Sequence, residues 1–187
     1  MDPRLLRAFQ SQIEEQCRFG LIAFDDAKTM PPGTQFWYGM QNLLVAAGNL
    51  SKAFWGQGGR LAKNREPLRA SLQVEDSSPL RETTMRNHWE HFDERLDVWD
   101  ATSTMHNYLD HNVGPMHLYA QEMGGMPDEI DVFRHFDDTT GVLQFWGDQF
   151  ALIPIVDEMA RIFPIAQAEA SKPLHQGPDP NDSGGGQ

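Results

Sequence analysis

Pro31-Pro32-Gly33 separates two long stretches whose apolar residues recur every three or four positions, and no other feature restricts the fold as tightly. Upstream, over roughly 3 to 30, Leu6, Phe9, Ile13, Cys17, Gly20, Leu21, Phe24 and Ala27 share one stripe of a helix turning about 100° per residue. Downstream, Phe36, Trp37, Met40, Leu43, Leu44, Ala47, Leu50 and Phe54 repeat the pattern to about Trp55, where Gly56, Gly58 and Gly59 stop it. The prolines cannot donate to a helix and push the residue before each out of helical geometry, while Thr34 is placed to cap the second run. Two helices joined by so short a turn pack antiparallel.

A third helix is expected from Ser78 to Asp100, with Ser78 as N-cap and Pro79 in the first helical position. Met85, Trp89, Phe92, Leu96 and Trp99 form its apolar seam, which should face the core. By the same rotation His88 and Arg95 fall on a margin of the seam. Arg86 and His91 take opposite flanks, roughly 140° apart, with Asn87, Glu90 and Glu94 on the outward arc between them. Joint action of Arg86 and His91 on one small group would therefore need a bend or a second copy of the helix.

The remainder completes a mainly α fold: a four- to five-helix up-and-down bundle with a small β-hairpin inserted before the last helix. Arg60, Lys63, Arg65 and Arg69 make 57–77 the most basic part of the chain, either a short helix or a mobile loop beside the active face, or more plainly a solvated connector. Asp110 to Pro115 is rich in turn residues, and Met116 to Tyr119 reads as a short extended piece. Ile130 to Phe136 and Val142 to Phe150 flank Asp137-Asp138-Thr139-Thr140-Gly141 as the arms of the hairpin, about 130–151. Leu152 to about Ala168 is the closing helix, with Pro154 tolerable in its first turn. The expected organisation is one helical domain over 1–170 and a polar, disordered tail over 171–187.

A formal charge of −12 opposes general attraction to nucleic acid but leaves room for a local basic cleft. Cys17, the single cysteine, rules out an internal disulfide, and no run of about 18 apolar residues offers a membrane span. Met1-Asp-Pro-Arg-Leu-Leu-Arg7 lacks the apolar core of a signal peptide, so a cytoplasmic location is expected. There is no Walker or GxGxxG loop, CxxC, HExxH or GxSxG, which removes support from the common nucleotide, zinc-protease and hydrolase readings.

Arg86-Asn-His-Trp-Glu-His91 resembles the R-x(4–6)-H motif of the HEPN superfamily, whose members carry it on a helix of a four- or five-helix bundle with a long antiparallel leading pair. Arg81 and His88 also fit the spacing, but His88 lies near the core stripe. The resemblance implies a metal-independent endoribonuclease without cofactors, commonly a homodimer that brings two Arg/His sets into one cleft. A toxin or defence effector restrained by an antitoxin or regulatory protein would suit it. Carried over, it makes Arg86 the phosphate-holding cation, Asn87 a positioning group and His91 the acid/base at the ribose 2′-hydroxyl, with His88, Glu90 and Arg95 contacting substrate. The chemistry suits these types, since imidazole titrates near neutrality and guanidinium stays charged while donating two hydrogen bonds. The hairpin lies outside the family's common core.

Three other readings stay open. Arg86 and Glu90, four apart, suit an ordinary surface ion pair. A HEPN-like bundle can serve as a non-catalytic binder of a partner protein. Lastly, His88, His91 and Glu94 at steps of three, with His106, His111 and His117 beyond, could meet around a metal in a bundle core.

Overall fold

The computed structural model describes residues 1–82, 84, 87, 88 and 91–173. Helix α1 (Pro3–Thr29) opens on Asp2, whose carboxylate accepts the amides of Arg4 and Leu5 at 2.8 and 3.2 Å, and ends where Met30 turns extended before the prolines. Helix α2 (Thr34–Trp55) returns antiparallel, with Gly33 rather than Thr34 at its N-cap. Its only charged residue is Lys52, as befits a helix buried along much of its circumference. The final helix, α7 (Leu152–Ser171), packs against another side of α1.

Two glycines let these helices approach. A Cβ on Gly39 would lie 2.9 Å from the Ala23 carbonyl oxygen and 3.0 Å from the Ala27 Cβ; one on Gly20 would meet the Met159 sulfur at 2.6 Å. Ile13, Cys17, Leu43, Leu50, Phe54, Met159 and Ile162 form the centre of the resulting core. Burial there pushes the Cys17 thiol up to about 12, with Glu14 and Glu158 adding to it.

Residues 57–77 follow the short-helix reading and not that of a solvated connector. They form short helices α3 (Gly59–Asn64) and α4 (Glu66–Ser71), and bury Leu68, Leu72 and Val74 at one end of the bundle. Arg69 is buried because its guanidinium donates to the carbonyls of Phe54 and Ala62, each at 2.8 Å, satisfying oxygens that a helix end leaves bare. The basic residues thus include a structural cap.

The expected continuous third helix is also corrected. Pro79–Arg81 is a single 3-10 turn that buries Leu80, and Glu82 is extended. The Ser78 hydroxyl donates to Glu158 Oε1 at 2.8 Å instead of capping a helix. Thr84, Asn87 and His88 are helical, the backbone departs from helix at His91 (φ −120°, ψ 39°), and helix α5 runs from Phe92 to Thr102. Asp93 and Glu94 fill the first turn of α5, where negative charge favours a new helix start.

The expected core seam does not hold along α5: Phe92 is 54% exposed, while Leu96 and Trp99 are half-buried against the core. The helix is tied down by polar bonds instead, the Trp99 indole and the Ser103 hydroxyl both donating to the buried Asp131 carboxylate at 3.0 and 2.6 Å. Met85 and Trp89 lie outside the described residues.

The hairpin is present and belongs to a larger sheet in the order β1-β2-β3-β4: β1 (Asn112–Val113), β2 (Arg134–Asp137), β3 (Val142–Phe145) and β4 (Asp148–Ala151). The β2–β3 turn is held by the Asp137 carboxylate, which accepts from Thr139 and Thr140, and closes on Gly141 at φ +69°. Trp146 and Gly147, at φ +56° and +83°, make the two-residue turn into β4. β1 adds to β2 in parallel.

Met116 to Tyr119 is helical, not extended, as part of α6 (Met116–Met123). The Tyr119 ring stands edge-on to His135, the buried residue on the sheet face opposite the helical core. Among the described residues no helix is long and apolar enough to cross a membrane. The tail from 174 to 187 lies outside the described residues.

Candidate functional site

The register of the sheet builds the site. Arg134 pairs with Phe145 and Phe145 with Asp148, and residues opposite one another in antiparallel strands share a face, so these three stand in one row across β2, β3 and β4. Phe145 is buried, which turns the row toward the helices. His88 docks at the Asp148 end, Nε2 to Oδ2 2.6 Å, with its ring edge-on to Phe145 and Phe150 at 5.6 and 6.3 Å between centroids. Phe92 and Leu96 line a pocket with Arg134 and Phe145 toward the other end. His88 therefore sits at one end of the row and Phe92 and Leu96 toward the other, with His91 and Arg95 beside them in the chain.

Within that segment the two histidines part company. His88 is 4% exposed, and its Nδ1 has no hydrogen-bond partner among the described residues. His91, by contrast, has a side chain 52% exposed, with Nδ1 3.4 Å from the open carboxylate of Glu94. So long a contact in solvent restrains the ring little.

Asn87 O accepts the His91 amide at 3.0 Å, and His91 O accepts that of Arg95 at 3.2 Å, so helical bonds span the break. Asn87, His91 and Arg95 consequently follow one another at four-residue steps along one side. Asn87 and Arg95 are half-buried, and Arg95 Nε is buried without a partner among the described residues. Arg86 and Glu90 lie outside the described residues. The Arg81 guanidinium is occupied elsewhere, donating to the Asp76 carbonyl at 3.1 Å.

The pocket beside this segment has a volume of about 460 Å3 and is walled by Phe92, Leu96, Tyr108, Phe133 and Phe145, with Gln41 and Arg134 as polar members. Arg134 donates through Nε to Asp110 Oδ1 at 2.6 Å and through a second nitrogen to Asp110 Oδ2, a two-point pair that leaves the wall locally neutral. Its guanidinium lies 4.9 Å from the centre of the Phe133 ring. Burial, then the charge of Asp110, pushes the Tyr108 phenol up to about 12, so it remains a neutral donor across the physiological range. His111 packs its ring on Trp37 at 5.5 Å; burial first, then Arg134, lowers its pKa, with Asp110 opposing.

Asp148, Tyr108, Arg134 and Gln41 are absent from the residues that sequence reasoning selects. Asp148 was within reach: two left-handed residues at Trp146-Gly147 return the chain so that Asp148 falls opposite Phe145. Gln41 carried no signal, being one of several uncharged residues on the outer side of α2. Among the described residues no three His, Cys, Asp or Glu side chains converge in a way that could hold a metal ion. His88 is engaged by Asp148, and His106 and His111 make their contacts near Asp100 and on Trp37.

Comparison with protein-family models, with curated proteins and with solved structures returns no match to this chain.

Proposed function

We propose that this protein is a metal-independent endoribonuclease of HEPN type, acting as a homodimer in the cytoplasm as a toxin or defence effector under a regulatory partner. The reading draws on the resemblance of Arg86-Asn-His-Trp-Glu-His91 to the HEPN motif and on the helical bundle with its long antiparallel leading pair. One observation carries it: the chain anchors His88 in the interior yet leaves His91, on the same turn as Asn87, open to solvent. A buried histidine bonded to a carboxylate serves architecture, whereas an imidazole open to solvent can reach a substrate and exchange a proton with it.

In this mechanism the His91 imidazole of one subunit removes the proton of a ribose 2′-hydroxyl. The oxygen attacks the adjacent phosphorus, and the bond to the 5′-oxygen of the next nucleotide breaks. A second His91, protonated and supplied by the other subunit, gives its proton to that leaving oxygen. The products are a 2′,3′-cyclic phosphate and a 5′-hydroxyl. Arg86 neutralises the phosphate, Asn87 orients it, and Arg95, four residues beyond His91, adds a second cation.

The test is cleavage of single-stranded RNA in EDTA by the purified protein and by Arg86→Ala and His91→Ala. Wild type should cut and both variants should lose activity by at least about a hundredfold, the scale of a lost acid/base group. Intact RNA with wild type, or cleavage that survives both substitutions, refutes the reading. The chain's charge of −12 favours a second reading, a non-catalytic bundle binding a partner protein, and that reading takes over on the first of these results.

A further inference from the structure

We infer that the pocket between α5 and the sheet is a subsite for one unstacked base of a single-stranded RNA, held beside the nucleotide whose phosphate His91 addresses. The inference rests on the reading of an RNA substrate given above and names where that substrate gains its grip. Four aromatic rings wall the pocket, and two of them are open at its mouth, Phe92 at 54% and Tyr108 at 44% exposure. Exposed aromatic faces converging on one hollow are what a flat, weakly hydrated heterocycle needs. Base stacking on such rings contributes about 1–3 kcal/mol per base and tolerates any sequence.

Electrostatics select the same ligand. Asp110 already compensates Arg134, so the hollow itself has no net charge to attract a phosphate. A neutral base can enter where its phosphates cannot. The Gln41 amide offers both a donor and an acceptor, matching the mixed edges of purines and pyrimidines, and the Tyr108 hydroxyl, which donates to Asp110 at 3.4 Å, adds an acceptor.

Position supplies the remaining argument. Phe92 follows His91 directly, and Phe92 and Leu96 stand one residue round the helix from His91 and Arg95 respectively. The aromatic wall and the exposed imidazole therefore sit on adjoining strips of the same turn. His88, fixed to Asp148 on the row that also holds Arg134 and Phe145, sets the distance between strip and pocket.

The experiment measures binding without chemistry. Short 2′-O-methyl oligoadenylate and oligouridylate, which lack the attacking hydroxyl, are titrated into the intact protein and followed by fluorescence anisotropy. Phe92→Ala, Tyr108→Leu and Gln41→Ala are compared with Val98→Ala, an exposed residue of the same helix outside the pocket; all four positions are exposed, and circular dichroism establishes that each variant keeps its fold. Phe92→Ala should weaken binding about tenfold, and Tyr108→Leu similarly, as loss of one stacking ring implies. Val98→Ala should change it less than threefold. Equal binding by wild type, Phe92→Ala and Tyr108→Leu overturns the subsite, as does failure of wild type to bind either oligomer.

Competition by AMP or UMP at concentrations equal to those of the oligomers would assign the pocket to free nucleotides and overturn its place on an RNA. Phe92-dependent binding together with absent cleavage would keep the subsite and remove the nuclease reading. Cleavage lost in His91→Ala but unchanged in KM by Phe92→Ala would do the reverse.

Discussion

Replacing Gly39 by alanine tests whether the α1–α2 pair is as close as its small residues imply. Two effects oppose each other. Alanine in a helix interior is favoured over glycine by about 1 kcal/mol. Against this, the new methyl would stand 2.9 Å from the Ala23 carbonyl oxygen and 3.0 Å from the Ala27 Cβ, well inside the roughly 3.5–4.0 Å of a relaxed carbon contact. Both neighbours belong to the α1 backbone or are fixed to it, so relief requires the helices to part, and overpacking of this kind costs about 1–3 kcal/mol.

The balance is a loss of about 1 kcal/mol, or about 2–4 °C in melting midpoint for a chain of 187 residues. Gly20→Ala is the matched control. Its nearest obstacle, at 2.6 Å, is the Met159 sulfur, which swings away more readily than a backbone carbonyl. Its midpoint should stay near that of wild type. Thermal unfolding followed by circular dichroism reads both. A Gly39→Ala protein melting at or above wild type, or below which Gly20→Ala falls, would refute the reasoning.

Asp131→Ala should strip α5 of the acceptor shared by the Trp99 indole and the Ser103 hydroxyl, at a cost of about 1–3 kcal/mol in urea unfolding for each donor left buried. If the proposed nuclease reading holds, it should also lower RNA cleavage, because α5 follows directly on His91. His135→Leu should leave stability at pH 7 unchanged or raised, since both ring nitrogens are buried without a partner among the described residues. Burial holds the native pKa of His135 below its ordinary 6.5, with Asp137 and Asp138 opposing. Below about pH 6.5 the unfolded chain therefore takes up the proton first and wild type loses stability as pH falls, whereas above it neither state is charged. Urea midpoints at pH 7 and pH 5 should differ less in His135→Leu than in wild type, and an equal difference would count against a neutral, buried His135.

The long helices were legible because their stripes are uninterrupted and their ends are punctuated by Pro31-Pro32-Gly33 and Gly56. The hairpin was legible for the same reason, its aromatic arms meeting at Gly141. The break at His91 was not, since Met85 to Trp99 keeps helical spacing straight through it and only the acidic pair Asp93-Glu94 hints at a second start. Arg69 misled because a buried cap and a solvated arginine look alike until the carbonyls it serves are in place. The candidate site was half legible. Asn87, His91 and Arg95 lie on one local segment, but the Asp148 clamp and the Tyr108–Arg134 wall come from chain far away in sequence, joined to it only by the register of the sheet.

The order of the helices along the chain bears on how the protein is made. α1 is sandwiched by α2 and by α7, yet about 120 residues separate its end from Leu152, roughly 6 to 25 seconds of synthesis at ordinary rates. Throughout that interval Gly20 and its neighbours wait uncovered while the nascent chain grows, a sticky intermediate that a holdase chaperone would be expected to shield. Fragments ending before Leu152 should collect in inclusion bodies, and slower translation should raise the soluble yield of the full chain.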